Sequence, residues 1–339
     1  MVLTCWQINS YICALYISKN MIKHIICLFF ISVYSTWAQT TICIGERITL
    51  PSTIMGQERT VDIYLPPSYK DPSLRAVDYP VVYLLDAQAN FNYFTTLMEK
   101  LTQGIPNLPE MIVVGIESPD RDSDFTTEND RFWQFVRDEL KPMVERQYRC
   151  KDFRIAVGHS LSGLAVTNAL LSYTELFNAY IVHDPSLWWG DGAGIKRFEQ
   201  NKGKDFGYRH LYIAHTGYKI RHNGRSGHVA TFEKLQQWLQ QGAFKNLQWK
   251  INTYPNENHG TVQLIGNMEL FRALFAEMFI DRNDIEQNPQ VIPARYQALS
   301  QRLHYPFTPS QAYLKNTAKW LRRSGKQDQA DQVEAMLTP

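Results

Sequence analysis

The chain has 339 residues, 44% hydrophobic and 20% charged. That composition excludes a disordered or fibrous protein and leaves room for one large α/β domain with an appendage. Basic residues number 35 and acidic residues 33; Lys19 and Lys23 lie in an acid-free stretch of residues 1–38, so the remainder carries 33 of each sign. Nucleic-acid binding is driven by neutralising phosphates, and a balanced body has no surplus charge for it.

At the N-terminus, Lys19, Lys23 and His24 precede an apolar run, Ile25 to Tyr34, and then Ser35-Thr36-Trp37-Ala38. A basic start, a short apolar stretch and small residues at the exit make residues 1–38 a secretory signal, predicting a periplasmic or secreted body that the membrane does not retain. The run is shorter than the roughly 20 residues of a bilayer span; with Tyr11–Ser18 also apolar, an uncleaved anchor is the alternative. Met21 offers a second start, leaving 1–20 outside the natural chain. Cys5, Cys13 and Cys27 fall here, so only Cys43 and Cys150 remain in the body. Two cysteines carry no spacing signature; an exported body permits a bridge, and two unpaired thiols are expected.

From residue 39 to 280, short apolar runs alternate with amphipathic stretches, the pattern of a mostly parallel sheet flanked by helices. An edge strand at Ile42–Leu50 turns at Met55-Gly56-Gln57. Strands follow at Thr60–Leu65, Val81–Asp86, Met111–Ile116, Phe153–Val157, Ala179–His183, Leu211–His215 and Leu247–Tyr254. The spacing predicts helices over Phe91–Leu101, Arg131–Gln147, Leu161–Leu171, Val229–Gln240 and Thr261–Phe279. Residues 281–293, rich in Asn, Asp, Gln and Pro, read as a linker. The extension to 339 reads as helices at Ala294–Leu303, Pro309–Ser324 and Gln327–Leu337, resembling a tetratricopeptide-like pair. One such unit cannot bury its own apolar face, so it docks on the main domain or on a protein partner.

The chemistry concentrates in Phe153-Arg154-Ile155-Ala156-Val157-Gly158-His159-Ser160-Leu161-Ser162-Gly163-Leu164-Ala165. A strand, a tight turn tipped by serine and a helix of small residues form a nucleophile elbow, where the strained turn demands small neighbours. Gly158 supplies one; Ser162 stands where the second glycine is usual. The plain alternative is a serine capping a helix. A serine hydroxyl is a weak nucleophile without an adjacent base, and on this pattern the chain order is serine, acid, histidine. His259, in the loop Tyr254-Pro255-Asn256-Glu257-Asn258-His259 after the last strand, is the candidate base. No carboxylate follows the seventh strand in Thr216–His222. Asp184, after the sixth strand, and Glu257 are the alternatives, as is a Ser–His dyad, because the acid orients the imidazole and stabilises its cation rather than accepting the proton.

Together these segments resemble the putative-esterase branch of the α/β hydrolases, which includes esterase D and the enterobactin esterases. The resemblance covers about residues 45–278. It is carried by Tyr64-Leu65-Pro66-Pro67-Ser68-Tyr69, by Tyr79 to Asp86, by Asp120 to Thr126, by Phe135 to Pro142, by Pro185-Ser186-Leu187-Trp188-Trp189 and by Glu257-Asn258-His259-Gly260. It implies an α/β-hydrolase fold, Ser160 as nucleophile, His259 as base, and an oxyanion hole from the backbone N–H groups of Leu161 and Gln88. Backbone donors there would hold the tetrahedral oxyanion. The chain departs from the family at Ala87 and Ser162, often glycine, and lacks the acid expected near Tyr218–Lys219, compatible with the dyad of some enterobactin esterases.

Arg121 reads either as a surface ion-pair partner or as a binder of anionic substrate, and Trp188 and Trp189 as walls of the substrate pocket. His210, His215, His222 and His228 match no metal-ligand spacing, and neither metal nor cofactor is expected. The reading is an exported serine hydrolase acting on small-molecule carboxylic esters, with acyl transfer on the same site or a non-catalytic binding protein as alternatives. A ferric-siderophore trilactone is one substrate the resemblance suggests.

Overall fold

The computed structural model describes residues 43–126, 129–217 and 227–337. The signal or anchor expected at 1–38 lies outside them. No helix among the described residues is long and apolar enough to cross a membrane. Cys43 is exposed, Cys150 is half-buried, and both are free thiols.

β1 (Glu46–Ser52) and β2 (Gln57–Tyr64) form an antiparallel hairpin. Its turn ends at Gly56, whose φ of 69° costs glycine nothing. Next come β3 (Tyr79–Leu85), α1 (Ala87–Thr102), β4 (Ile112–Ile116) and the short helices α2 (Arg121–Phe125), α3 (Asp130–Phe135) and α4 (Lys141–Gln147). They are followed by β5 (Cys150–His159), α5 (Leu161–Ser172), β6 (Ala179–His183), α6 (Trp189–Gln200), β7 (Asp205–His215), α7 (Gly227–Gln240), β8 (Lys245–Thr253) and α8 (Val262–Leu274). The eight strands lie in the order β1-β2-β4-β3-β5-β6-β7-β8. β2 runs antiparallel to β1 and β4, and every later pairing is parallel. This is the α/β-hydrolase arrangement that the sequence predicts.

Successive side chains of β3 enter opposite cores, as strand pleating dictates. Val81, Tyr83 and Leu85 pack with Trp133, Leu164 and Phe177 on one face. Val82 and Leu84 pack with Phe94, Phe153 and Phe271 on the other. Helices on both faces exclude water from the parallel strands, which is why these read as unbroken apolar runs.

Some elements differ from the expected ones. The single helix expected at Arg131–Gln147 is interrupted by a π-helical turn, Val136–Leu140. Pro142 opens α4 and has no N–H to give the preceding turn, so the ladder shifts there. α6 was not expected: Gly190, Asp191 and Gly192, all at positive φ, conceal the periodicity that buries Ile195 and Phe198. The stretch read as a linker, 281–293, holds α9 (Arg282–Gln287) and the start of α10 (Val291–Leu303). Asp281 caps α9 by accepting from the Asn283 N–H, and Ile285 and Ile292 are buried.

α10, α11 (Gln311–Arg323) and α12 (Gln327–Ala335) turn their apolar faces into the second core. Leu299, Leu303, Leu314 and Leu321 share that core with Phe153 of β5 and Phe271 of α8. The Phe153 ring meets Phe307 at 5.0 Å, Tyr305 at 5.3 Å and Phe275 at 6.1 Å. Packing does not break at residue 280; Ile44 to Pro339 is one compact unit.

Among the described residues four histidines are buried, His183, His210, His215 and His228, and two of them sit inside strands without full hydrogen bonding. Among the described residues, His210 in β7 has no hydrogen-bond partner on either ring nitrogen, and His183 in β6 has none on Nε2. Burial pushes His210 down to about 4 and His183 down to about 3. An unfolded histidine titrates near 6.5, so as pH falls the unfolded chain takes up protons first and stability drops. The urea midpoint is expected to fall steadily from pH 7 to pH 5. His210→Phe should flatten that slope by up to one proton, about 1.4 kcal/mol per pH unit; an unchanged slope contradicts the assignment. Leu299→Ala should cost about 2–5 kcal/mol in the same urea melts, because its side chain is fully buried in the shared core.

Candidate active site

β5 ends at His159, and Ser160 reverses the chain into α5 with φ 61° and ψ −119°. A non-glycine residue holds such angles only when its surroundings enforce them. The Ser160 N–H donates to the carbonyl of His183, and the Ser160 carbonyl accepts from the N–H groups of Leu164 and Ser186. A Cβ on Gly158 would sit 2.4 Å from the carbonyl oxygen of Ser162, and one on Gly163 would sit 3.1 Å from Pro185. Glycine at 158 is therefore the condition for the turn to close, and glycine at 163 keeps its contact with Pro185 free of crowding.

Ser162, fully buried, occupies the usual glycine position without disturbing the elbow. Its hydroxyl donates to Asp86 Oδ2 at 2.7 Å and accepts from the His159 N–H at 2.9 Å. Asp86 precedes α1 in a left-handed conformation and receives Nε and Nη2 of Arg121 at 2.7 and 3.0 Å. The turn carrying Ser160 is thus tied to the loop carrying Gln88. Leu161 and Gln88 are the first and second residues of α5 and α1, positions whose N–H groups have no partner within their own helix. The Gln88 side chain reaches Ser118. Arg121 is committed to Asp86, so the structure places it as an ion-pair partner first. Trp188 and Trp189 are half-buried, ring centroids 6.2 Å apart, on the loop that also carries Ser186.

β5 and β6 pair in parallel with His159 opposite His183, which sets Ser160 and Asp184 side by side just past the strand ends. Asp184 has φ 44° and is 1% exposed, its N–H donating to the Ala214 carbonyl at 2.7 Å. His259 Nδ1 donates to Asp184 Oδ2 at 2.8 Å. Burial alone would raise the Asp184 carboxyl, but hydrogen bonds from His228 and His259 overrule it and hold the group well below the usual carboxylate range. Glu257 takes a different partner, the Thr261 hydroxyl at 2.6 Å. Of the acids weighed from sequence, Asp184 touches His259. Among the described residues the Ser160 hydroxyl meets Ser186 Oγ at 3.4 Å, with no hydrogen bond to His259; catalytic hydrogen bonds often tighten only around substrate.

His159 flanks His259, ring centroids 4.5 Å apart, and its Nε2 donates to the His259 carbonyl at 2.6 Å. Burial, then the neighbouring imidazole, pushes His159 down to about 4, so it acts as an uncharged prop. Two contributors were missed from sequence: His228, which donates from Nε2 to Asp184 Oδ1 at 3.0 Å, and Thr216, whose N–H donates to the same oxygen at 3.2 Å. Neither lies in a motif, and only the neighbouring strand ends bring them to Asp184.

The profile of the family described as Putative esterase matches residues 52–259, a span holding the elbow, Asp184 and His259. The chain belongs to the putative esterase family. It is 30% identical over 190 residues to the ferri-bacillibactin esterase BesA of Bacillus subtilis (strain 168), covering 45% of this chain and 65% of that protein. The match therefore spans just under two thirds of that relative's length. Among solved structures, an IroE-like serine hydrolase from Shewanella oneidensis has a TM-score of 0.77 at 28% identity, covering 86% of this chain and 98% of that one. An enterochelin esterase from Shigella flexneri, 19% identical with a TM-score of 0.55 over 71% of this chain and 61% of that one, shares the fold.

Removing the Ser162 hydroxyl deprives the buried Asp86 and the His159 N–H of a partner. Ser162→Ala is expected to lower the unfolding free energy by about 1–3 kcal/mol in urea melts. A cost near zero would mean that the hydroxyl does not join the two loops.

Proposed function

We propose that the chain is a carboxylic-ester hydrolase working through a Ser160 acyl-enzyme, with His259 as general base and Asp184 as the acid of the triad. One observation carries the reading: the buried Asp184 carboxylate accepts the Nδ1–H of His259 at 2.8 Å, beside the elbow whose tip is Ser160. With Nδ1 carrying its proton, the lone pair of a neutral His259 is on Nε2. His259 is 44% exposed while Asp184 is 1% exposed, as expected of a base that meets substrate and an acid that does not.

In the reaction, His259 Nε2 takes the Ser160 proton as Oγ adds to the ester carbonyl carbon. The oxyanion is held by the N–H groups of Leu161 and Gln88, and the ionised Asp184 stabilises the imidazolium. Collapse breaks the ester C–O bond, and the imidazolium returns the proton to the departing alcohol. Water, deprotonated by His259, then attacks the acyl carbon; the C–Oγ bond breaks, the imidazolium returns the proton to Ser160 Oγ, and the acid is released. Trp188 and Trp189 wall the pocket. The substrate class is a small-molecule carboxylic ester, and a siderophore ester is the favoured member, supported by the 30% identity to a ferri-bacillibactin esterase. Export to the periplasm or beyond follows from the basic, apolar, small-residue pattern of residues 1–38.

A fluorophosphonate probe and an ester panel including a ferric-siderophore lactone test this. Wild-type protein should take the label, and Ser160→Ala should take none. His259→Ala and Asp184→Asn should lose about 10³–10⁴-fold in kcat, with Glu257→Gln within a few-fold of wild type. Full labelling of Ser160→Ala overturns the assignment, and full turnover by Asp184→Asn reduces the triad to a dyad.

A further inference from the structure

We propose that His228 is a positioning residue for the Asp184 carboxylate, donating an uncharged hydrogen bond that fixes Asp184 against His259 and leaves its negative charge intact. The inference rests on the reading of Ser160, His259 and Asp184 as the catalytic triad.

Among the described residues Asp184 accepts from four donors, divided evenly between its oxygens. Oδ1 accepts from His228 Nε2 at 3.0 Å and from the Thr216 N–H at 3.2 Å. Oδ2 accepts from His259 Nδ1 at 2.8 Å and from the Thr216 hydroxyl at 3.4 Å. One histidine and one Thr216 donor on each oxygen leave the carboxylate a single orientation. Without His228, the described residues leave Oδ1 the longer backbone contact from Thr216, and the carboxylate can turn away from His259.

The surroundings of His228 fix which proton it carries. The residue is 4% exposed, with its ring edge-on to Phe232 at 5.0 Å. Its Nδ1 has no hydrogen-bond partner among the described residues, so a second proton would be a buried N–H with nothing to receive it. The singly protonated ring, with its proton on Nε2, satisfies the geometry. Among the described residues, the titratable groups facing it are Asp184 after β6, His259 after β8 and His215 at the end of β7. His215 stacks on the other side of Phe232 at 4.5 Å; its Nδ1 accepts from the Gly217 N–H, so its Nε2 donates to Thr253. Burial lowers His215, which disfavours its charged form. A cationic neighbour would compete for the charge that the His259 imidazolium needs; an uncharged donor does not.

The test uses the full-length protein, p-nitrophenyl butyrate and three substitutions, with Ser160→Ala in parallel. His228→Phe removes the donor but keeps a ring. His228→Gln places an amide N–H near the Nε2 position, and His228→Asn is too short to do so. The expected result for His228→Phe is a kcat lower by about ten- to a hundredfold, with KM within about twofold. The acid limb of kcat/KM reports the free enzyme's base; it should move to lower pH, because a carboxylate free to turn away from His259 supports the imidazolium less. His228→Gln should recover most of the loss and return the limb toward its original position. If the phenylalanine variant does not fold, the pair of amides decides: glutamine active and asparagine impaired supports the role. Wild-type kcat and pH profile in His228→Phe, or equal impairment of the glutamine and asparagine variants with an unmoved acid limb, overturns it. An inactive Ser160→Ala keeps the triad standing whatever His228 does, and an active one removes the triad itself.

Discussion

The structure is organised around one residue held where it would not otherwise stay. At φ 61° and ψ −119°, Ser160 has a conformation that costs of order 1–3 kcal/mol for a side chain bearing a Cβ. That strain lifts its hydroxyl off the sheet, and it persists because three backbone hydrogen bonds grip the residue and two glycines let neighbouring segments close in. Two of those bonds reach the chain of β6 and its following loop. The elbow therefore depends on β6 lying beside β5 in the register observed, and so on the sheet as a whole.

The same adjacency brings the proposed acid to the elbow. Since His159 and His183 are paired, the residue after each strand emerges at the same level, and Asp184 arrives next to the elbow. A second left-handed residue, Asp184 itself at φ 44°, then turns its carboxylate toward the ends of β7 and β8. Strand order converts residues distant in the chain into one polar cluster under an exposed imidazole. Its interior is settled by complementary hydrogen bonds, and burial pushes the nearby His159, His183 and His215 below the usual imidazole range.

The parts legible in the sequence are those whose physics is local. Val81 to Leu85 reads as a buried strand because both faces are covered, and Gly158 to Gly163 reads as an elbow because the turn tolerates little else. His259 follows from its place after the last strand. Asp184 was one of several alternatives, since nothing near it in the chain records which strand it borders. His228 could not be read at all: its partner lies 44 positions away, and the contact exists only through the order β6-β7. α6 escaped for another reason, its first turn being three positive-φ residues that mask the pattern of Ile195 and Phe198. The stretch 281–293 looked polar enough for a linker, although two isoleucines spaced along it reach the core.

The aromatic cluster around Phe153 gives the C-terminal helices a second importance. Phe153 lies near the start of the strand whose other end bends into Ser160, and it is clasped by rings from Phe275, Tyr305 and Phe307. β5 is thus anchored at both ends, by an aromatic knot from the last quarter of the chain and by the elbow's hydrogen bonds. Any opening that frees Phe275, Tyr305 or Phe307 strips packing from the strand that ends in Ser160, so the proposed nucleophile is braced from the opposite end of β5 by rings far from its own turn.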